Sequence, residues 1–242
     1  METSLTEIAP SIYRISTFHP DYRIQFNQFL VKDDEPFLMH TGLRKMFLLT
    51  FDAVSKVLDP ADLRWIGYSH FEPDECGALN EWLHCAPDAQ PVCGAVGAIV
   101  MLSDYSDRPA RTLADDEILA TGHHRLRFLS TPHLPHGWDA GLFYDETEAT
   151  LFCSDLFFHP GNPKPLDHAD IVGAARAAMI ESASGPLAGD LPYTVHTDAM
   201  LQRLAALQPE TLAVMHGASF KGDGGRAIRE LAGAIREANT GA

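Results

Sequence analysis

Hydrophobic and polar positions alternate in some stretches of the chain and recur every three or four residues in others; the first period marks strands and the second helices. Arg23–Lys32 (RIQFNQFLVK) has strand character, Asp33-Asp34-Glu35-Pro36 is a turn, and Phe37-Leu38-Met39 is its return. Leu63–Tyr68 is a mostly apolar run that ends at Ser69-His70. Beyond it Leu79, Trp82 and Leu83 stand at i, i+3 and i+4, which predicts a short helix from Asp74 to about Cys85, closed before Pro87. Val92–Val96 reads as a further short strand. In His124–Leu129, Leu126 and Phe128 fall on one side and Arg125 and Arg127 on the other, the strand period again. Gly141–Tyr144 and Thr150–Cys153 make a hairpin around the polar Asp145–Glu148 turn. Helices are predicted over Asp167–Ser182 and Thr197–Gln208 and a strand over Leu212–Met215. A last amphipathic helix, Gly225–Ala238, carries Ile228, Leu231 and Ile235 on one stripe. Hairpins early and in the middle, with helices between and after, predict an α/β (α+β) fold of two sheets sandwiched by helices. Its chemistry belongs in the loops at strand ends.

Composition narrows the class. With 242 residues, 45% apolar and 21% charged, the chain is globular and, at about 70% of its surface buried, needs no staples for its core. No repeat, low-complexity run or linker divides it, so residues 1–242 are expected to form one domain. A net charge of −15 disfavours nucleic acid and anionic membrane surfaces, whose phosphates the summed field repels. Cys76, Cys85, Cys93 and Cys153 form no C-x-x-C pair, so free thiols in a reducing compartment are expected. The N-terminus is acidic and lacks an apolar signal region, and the most apolar stretch, Val92–Leu102, is too short to span a bilayer. A cytoplasmic location is the expectation.

Twelve histidines prompt a search for metal ligands. His70-Phe71-Glu72-Pro73-Asp74-Glu75 follows an apolar strand, and in an extended segment i, i+2 and i+4 project to one side. Pro73 supports that geometry by holding Glu72 away from helix. A polar turn entering a helix, with Asp74 as N-cap, would show the same residues. Three further strand ends add His133, Asp155 and His216. Each alone has an ordinary explanation, as a surface imidazole or a turn cap. Four strand ends all supplying His, Asp or Glu are hard to explain as independent accidents.

The series His-x-Glu-x-Asp, His, Asp, His resembles the ligand set of metallo-β-lactamase-fold proteins of the flavodiiron branch, in order and approximate separation. Phe26–Val31, Pro132-His133-Leu134-Pro135, Leu151–Phe157 and His216-Gly217 resemble its surrounding motifs, and the likeness runs from about Ile12 to about Arg236. It implies an αββα four-layer metallo-β-lactamase sandwich with a binuclear site at one edge of the sheets. One metal would take His70, Glu72 and His133, the other Asp74 and His216, with Asp155 bridging. Two departures stand out. Glu75 occupies a position where the family commonly has His, which makes it an extra ligand or a pocket wall. The chain stops at Ala242, where flavodiiron proteins continue into a flavodoxin domain; neither that domain nor FMN is therefore expected, and the likeness is to stand-alone oxygen-binding diiron proteins.

Residue chemistry favours iron independently of the resemblance. Zinc hydrolases of the fold usually show His-x-His-x-Asp-His, and here Glu72 and Glu75 replace two imidazoles by harder oxygen donors. Such a set suits two Fe ions, or Mn, better than Zn. His136, in the same loop as His133, is expected near the pocket, and Tyr68, Phe71, Trp138, Phe157 and Phe158 line it or pack in the core. His19, His40, His84, His123, His124, His159, His168 and His196 match no motif and read as structural or surface residues. Three functions follow. The first is binding or sensing of dioxygen or another diatomic, with a signalling partner. The second is reduction of O2 or NO with a separate electron donor. The third is binuclear hydrolysis of an ester, lactone or phosphodiester. The resemblance also implies a homodimer.

Overall fold

The computed structural model describes residues 1–240. Among these residues fourteen strands form two facing seven-stranded sheets. The first sheet holds β1 (Thr3–Ala9), β2 (Ile12–His19), β3 (Ile24–Val31), β4 (Phe37–Met39), β5 (Trp65–Gly67), β6 (Gln90–Gly94) and β7 (Arg111–Leu113), side by side in chain order. The second holds β8 (Ile118–Ala120), β9 (Arg125–Ser130), β10 (Gly141–Asp145), β11 (Thr150–Ser154), β12 (Leu166–Asp167), β13 (Thr211–Val214) and β14 (Ser219–Lys221), in the order β12-β14-β13-β11-β10-β9-β8. The helices are α1 (Phe47–Val54), α2 (Pro73–Cys76), α3 (Leu79–Cys85), α4 (Ser103–Tyr105), α5 (Ile171–Ser182), α6 (Thr197–Ala206) and α7 (Gly224–Thr240).

Side-chain alternation explains the layering. Along β3, Phe29 and Val31 enter the layer between the sheets, whereas Leu30 packs outward against Ala53 and Val54 of α1 and Trp82 of α3. On the other sheet, Phe128 and Phe152 meet the middle layer, and Leu129, Leu151 and Leu212 pack outward onto α5, α6 and α7. The result is the expected αββα sandwich. Among the described residues no helix is long and apolar enough to cross a membrane.

Several local expectations change. The helix expected over 74–85 is two helices, because Ala78 N–H turns away to Gly42 O (3.1 Å) and Thr41 Oγ1 (3.2 Å). Gly77 permits the break: a Cβ there would lie 2.2 Å from the Pro73 carbonyl. The strand expected to reach Val96 ends at Gly94, and Gly97–Leu102 winds into a π-helical turn. The helix expected from Asp167 starts at Ile171, capped by Asp170 onto Gly173 N–H at 2.7 Å, since Leu166-Asp167 pairs with β14. Thr3–His19, where no element was predicted, is the β1–β2 hairpin.

Topology sets the site. Strands β4 to β7 are parallel, β11 is parallel to β13, and β9 runs the same way through its antiparallel neighbour β10. The C-terminal ends of β5, β9, β11 and β13 therefore meet at one edge. Gly141 N–H donates to Ser69 O (2.8 Å) and Asn27 N–H to Met215 O (3.0 Å), which ties the sheets together there.

Candidate metal centre

After β5 the chain stays extended only to Glu72 (φ −133°, ψ 163°), and Pro73 opens α2 at its first position. Asp74 and Glu75 thus lie in a helical turn rather than on one side of an extended segment. That turn sends the residues different ways: Glu72 remains half-exposed, while Glu75 is fully buried, with its carbonyl accepting from Thr41 N–H at 2.7 Å.

The Thr131–Gly137 loop carries both His133, expected as a ligand, and His136, expected near the pocket. Thr131 Oγ1 donates to Leu134 O (2.8 Å) and His133 N–H to Gly137 O (2.7 Å), closing a tight turn with His133 at φ 66°. The turn directs His133 outward, where it is exposed, and none of its side-chain atoms pairs with the cluster among the described residues. It brings His136 in instead, with Nε2 3.2 Å from Glu72 Oε1 and 3.4 Å from Asp155 Oδ2. The structure thus brings His136, rather than the expected His133, into the cluster. The sequence offers one clue, Gly137, whose positive φ of 79° marks the sharp bend beside His136.

Asp155, just past β11, lies at the centre. Its Oδ2 is 3.4 Å from His70 Nε2 and 3.4 Å from His136 Nε2, whereas its Oδ1 is 3.2 Å from His216 Nε2. Pairing of Ser154 with Val214 across β11 and β13 sets Asp155 beside His216. Asp74 Oδ2 completes that side at 3.2 Å from His216 Nε2, and Glu75 Oε1 approaches His70 Nε2 at 3.7 Å. Three ligand-type groups have atoms within 4.8 Å of one another: His70/Glu72/His136, His70/Glu75/Asp155 and Glu72/Asp74/Glu75. The structure thus gathers seven of the eight candidates and leaves out His133.

The sequence model described as "ODP family beta lactamase" matches residues 24–217. The chain belongs to this family. A putative diflavin flavoprotein A 1 of Nostoc sp. is 33% identical over 135 residues, 54% of this chain and 23% of the relative. An uncharacterized protein of Methanocaldococcus jannaschii is 26% identical over 86% of this chain and 53% of its own length. In three dimensions the ODP-family chain is similar to rubredoxin oxygen:oxidoreductase from Desulfovibrio gigas (TM-score 0.81, 19% identity, 97% of this chain and 62% of that one). It is also similar to the 1–254 fragment of a putative diflavin flavoprotein A 5 from Nostoc (TM-score 0.79, 17% identity, 97% of each chain). The chain thus spans about half or less of the curated relatives it matches.

In the ODP-family site buried carboxylates and imidazoles perturb one another strongly. Burial disfavours charge on Asp155, yet His216, His70 and His136 hold it well below the usual carboxylate range. Burial also opposes charge on His216, but Asp155 and Asp74 outweigh it and push its pKa up to about 10. Burial and then the charges of Asp155 and Asp74 push Glu75 up, which favours its protonated form. His70 Nε2 and both Glu75 oxygens are buried with no hydrogen-bond partner among the described residues. Orphaned donors and acceptors of this kind are costly in a folded protein unless a ligand satisfies them. Imidazole nitrogens and carboxylate oxygens facing one space fit a pair of transition-metal ions.

Proposed function

We propose that this chain is a non-haem diiron protein that binds, senses or reduces dioxygen. The observation that supports it is the division of Asp155. One oxygen faces His70 and His136, which stands against Glu72, and the other faces His216, which stands against Asp74. His70, Glu72 and His136 would hold one iron and Asp74 and His216 the other, with Asp155 between them and Glu75 as a buried further donor. Two ferrous ions held there would supply two electrons, enough for coupling of two nitric oxide molecules to nitrous oxide and half of what reduction of dioxygen to water takes, the other two coming from a separate donor.

The surroundings favour a small neutral ligand. A cavity of about 700 Å³ opens onto the cluster, walled by Ile24, Phe26, Leu43, Phe157 and Leu191, and no Lys or Arg is among its lining residues. An anionic ester or phosphodiester would find no side-chain cation there beside the metal ions themselves to offset the carboxylates. Relatives named diflavin flavoproteins favour a separate flavin-bearing electron donor, and the homodimer implied by the sequence resemblance belongs to the same proposal. The test is anaerobic expression, metal analysis and the visible spectrum on exposure to air. Two irons per chain and an oxygen-dependent absorption support the reading. Rapid O2 uptake with a reduced flavoprotein identifies a reductase, and a long-lived coloured form identifies a binder or sensor. Two zinc ions and no spectral response refute it.

A further inference from the structure

Behind the ligands lies a chain of polar groups closed to solvent. His40 follows β4, is 1% exposed, and takes a left-handed backbone at φ 65°, disfavoured for a residue with a Cβ and held only by its surroundings. Its ring touches the residues that immediately precede His216 and His70. Nδ1 is 2.9 Å from Met215 Sδ, and Nε2 is 3.0 Å from Ser69 Oγ. Ser69 Oγ is in turn 3.1 Å from His70 Nδ1 and 2.7 Å from Ser154 Oγ. Ser154 Oγ is 3.3 Å from the same Nδ1. Ser69, Ser154 and Met215 immediately precede His70, Asp155 and His216.

The order of protons along this chain follows from what each group can give. A thioether has no proton, so the ring nitrogen facing Met215 is the N–H donor. Burial keeps His40 neutral, which leaves Nε2 as a bare acceptor. Ser69 has one proton and donates it to Nε2, so its lone pairs are left for His70 Nδ1–H and the Ser154 hydroxyl. With the proton on Nδ1, His70 presents a lone pair at Nε2, the atom that points at Glu72, Glu75 and Asp155.

We propose that His40 is a positioning residue that, through Ser69, sets the tautomer and ring plane of His70 and so the metal affinity of that half of the centre. The proposal rests on the diiron reading above. By contrast, His216 Nδ1 donates directly to the Gln25 carbonyl at 2.8 Å, so His40 affects the two halves unequally.

The test titrates the metal-free full chain with Fe(II) anaerobically, against a competing chelator, and follows the two irons by Mössbauer spectroscopy. His40→Leu weakens the His70 half by about 10–100-fold, the usual effect of losing a partner behind a ligand, and leaves the His216 half within about threefold. Ser69→Ala does the same, and the double variant is no weaker than Ser69→Ala alone because one path is cut twice. His40→Gln, whose amide oxygen can accept from Ser69, binds within about threefold of the parent. Parent-like affinity in His40→Leu, effects that multiply in the double variant, or equal weakening of both halves would show that His40 only packs. Should His40→Leu not fold, Ser69→Ala and His40→Gln decide alone: the first must weaken the His70 half and the second must not. A parent chain that takes up no second ion overturns the diiron reading itself, a result distinct from all of these.

Discussion

Asp155→Asn removes an anionic donor from both halves of the centre at once, since its two oxygens face His216 at 3.2 Å and His70 and His136 at 3.4 Å each. Asparagine keeps the volume but replaces one oxygen by an NH2 group that cannot bind a cation. If each ion is supplied at about 100 times its dissociation constant, each stabilises the fold by about 2.7 kcal/mol. A hundredfold loss of affinity leaves about 0.4 kcal/mol per ion, so the pair contributes about 4.6 kcal/mol less. A chain of this length loses about 2–4 °C of Tm per kcal/mol, which makes the deficit about 9–18 °C. The assay is thermal unfolding of parent and variant, each with and without Fe(II) under anaerobic conditions. Taking the metal-dependent rise within each protein cancels whatever the substitution does to the metal-free fold. Glu72→Gln, whose imidazole neighbours are His136 at 3.2 Å and His70 at 3.8 Å, is the control and loses about half as much. A variant of Asp155 that keeps the full rise, or that loses no more than the Glu72 control, places the bridge elsewhere.

His133→Ala leaves the metal content of the chain unchanged, while His136→Ala loses the ion of the His70 half; elemental analysis of the two purified variants distinguishes the turn geometry described above from its reverse. Remote from the centre, His124 Nδ1 lies 2.8 Å from Asp145 Oδ2, both buried. Burial opposes the charge on His124, but the Asp145 carboxylate outweighs it and raises the pKa. The charged imidazole is therefore favoured in the fold, so its contribution is complete below the ordinary histidine value near 6.5 and fades as pH rises through the raised one. Over that window stability falls by up to about 1.4 kcal/mol per pH unit, and Asp145→Asn flattens the fall; denaturant unfolding at stepped pH values that gives identical slopes in both proteins removes the pair from the account.

The chain by itself determined which segments are strands and helices wherever burial is one-sided and the period is clean. Arg125 and Arg127 against Leu126 and Phe128, and the stripe of Ile228, Leu231 and Ile235, need only local geometry to be read. The series of His, Glu and Asp residues at strand ends was legible for the same reason, because His70, Asp155 and His216 lie at or just past the ends of apolar runs. The β1–β2 hairpin was not, as its pairing lies between segments with weak patterns of their own. Tertiary structure alone decided three matters at the centre. The hydrogen bonds that close the Thr131–Gly137 turn choose His136 over His133, a choice of backbone handedness that residue spacing does not carry. The helical turn begun by Pro73 buries Glu75 and parts it from Glu72. His40 reads as one more structural histidine in sequence and becomes a link between two ligands only when β4, β5, β11 and β13 are paired. Contacts between residues such as His40 and Met215, far apart in the chain, come from sheet registry, and registry is a property of the assembled layers rather than of any one segment.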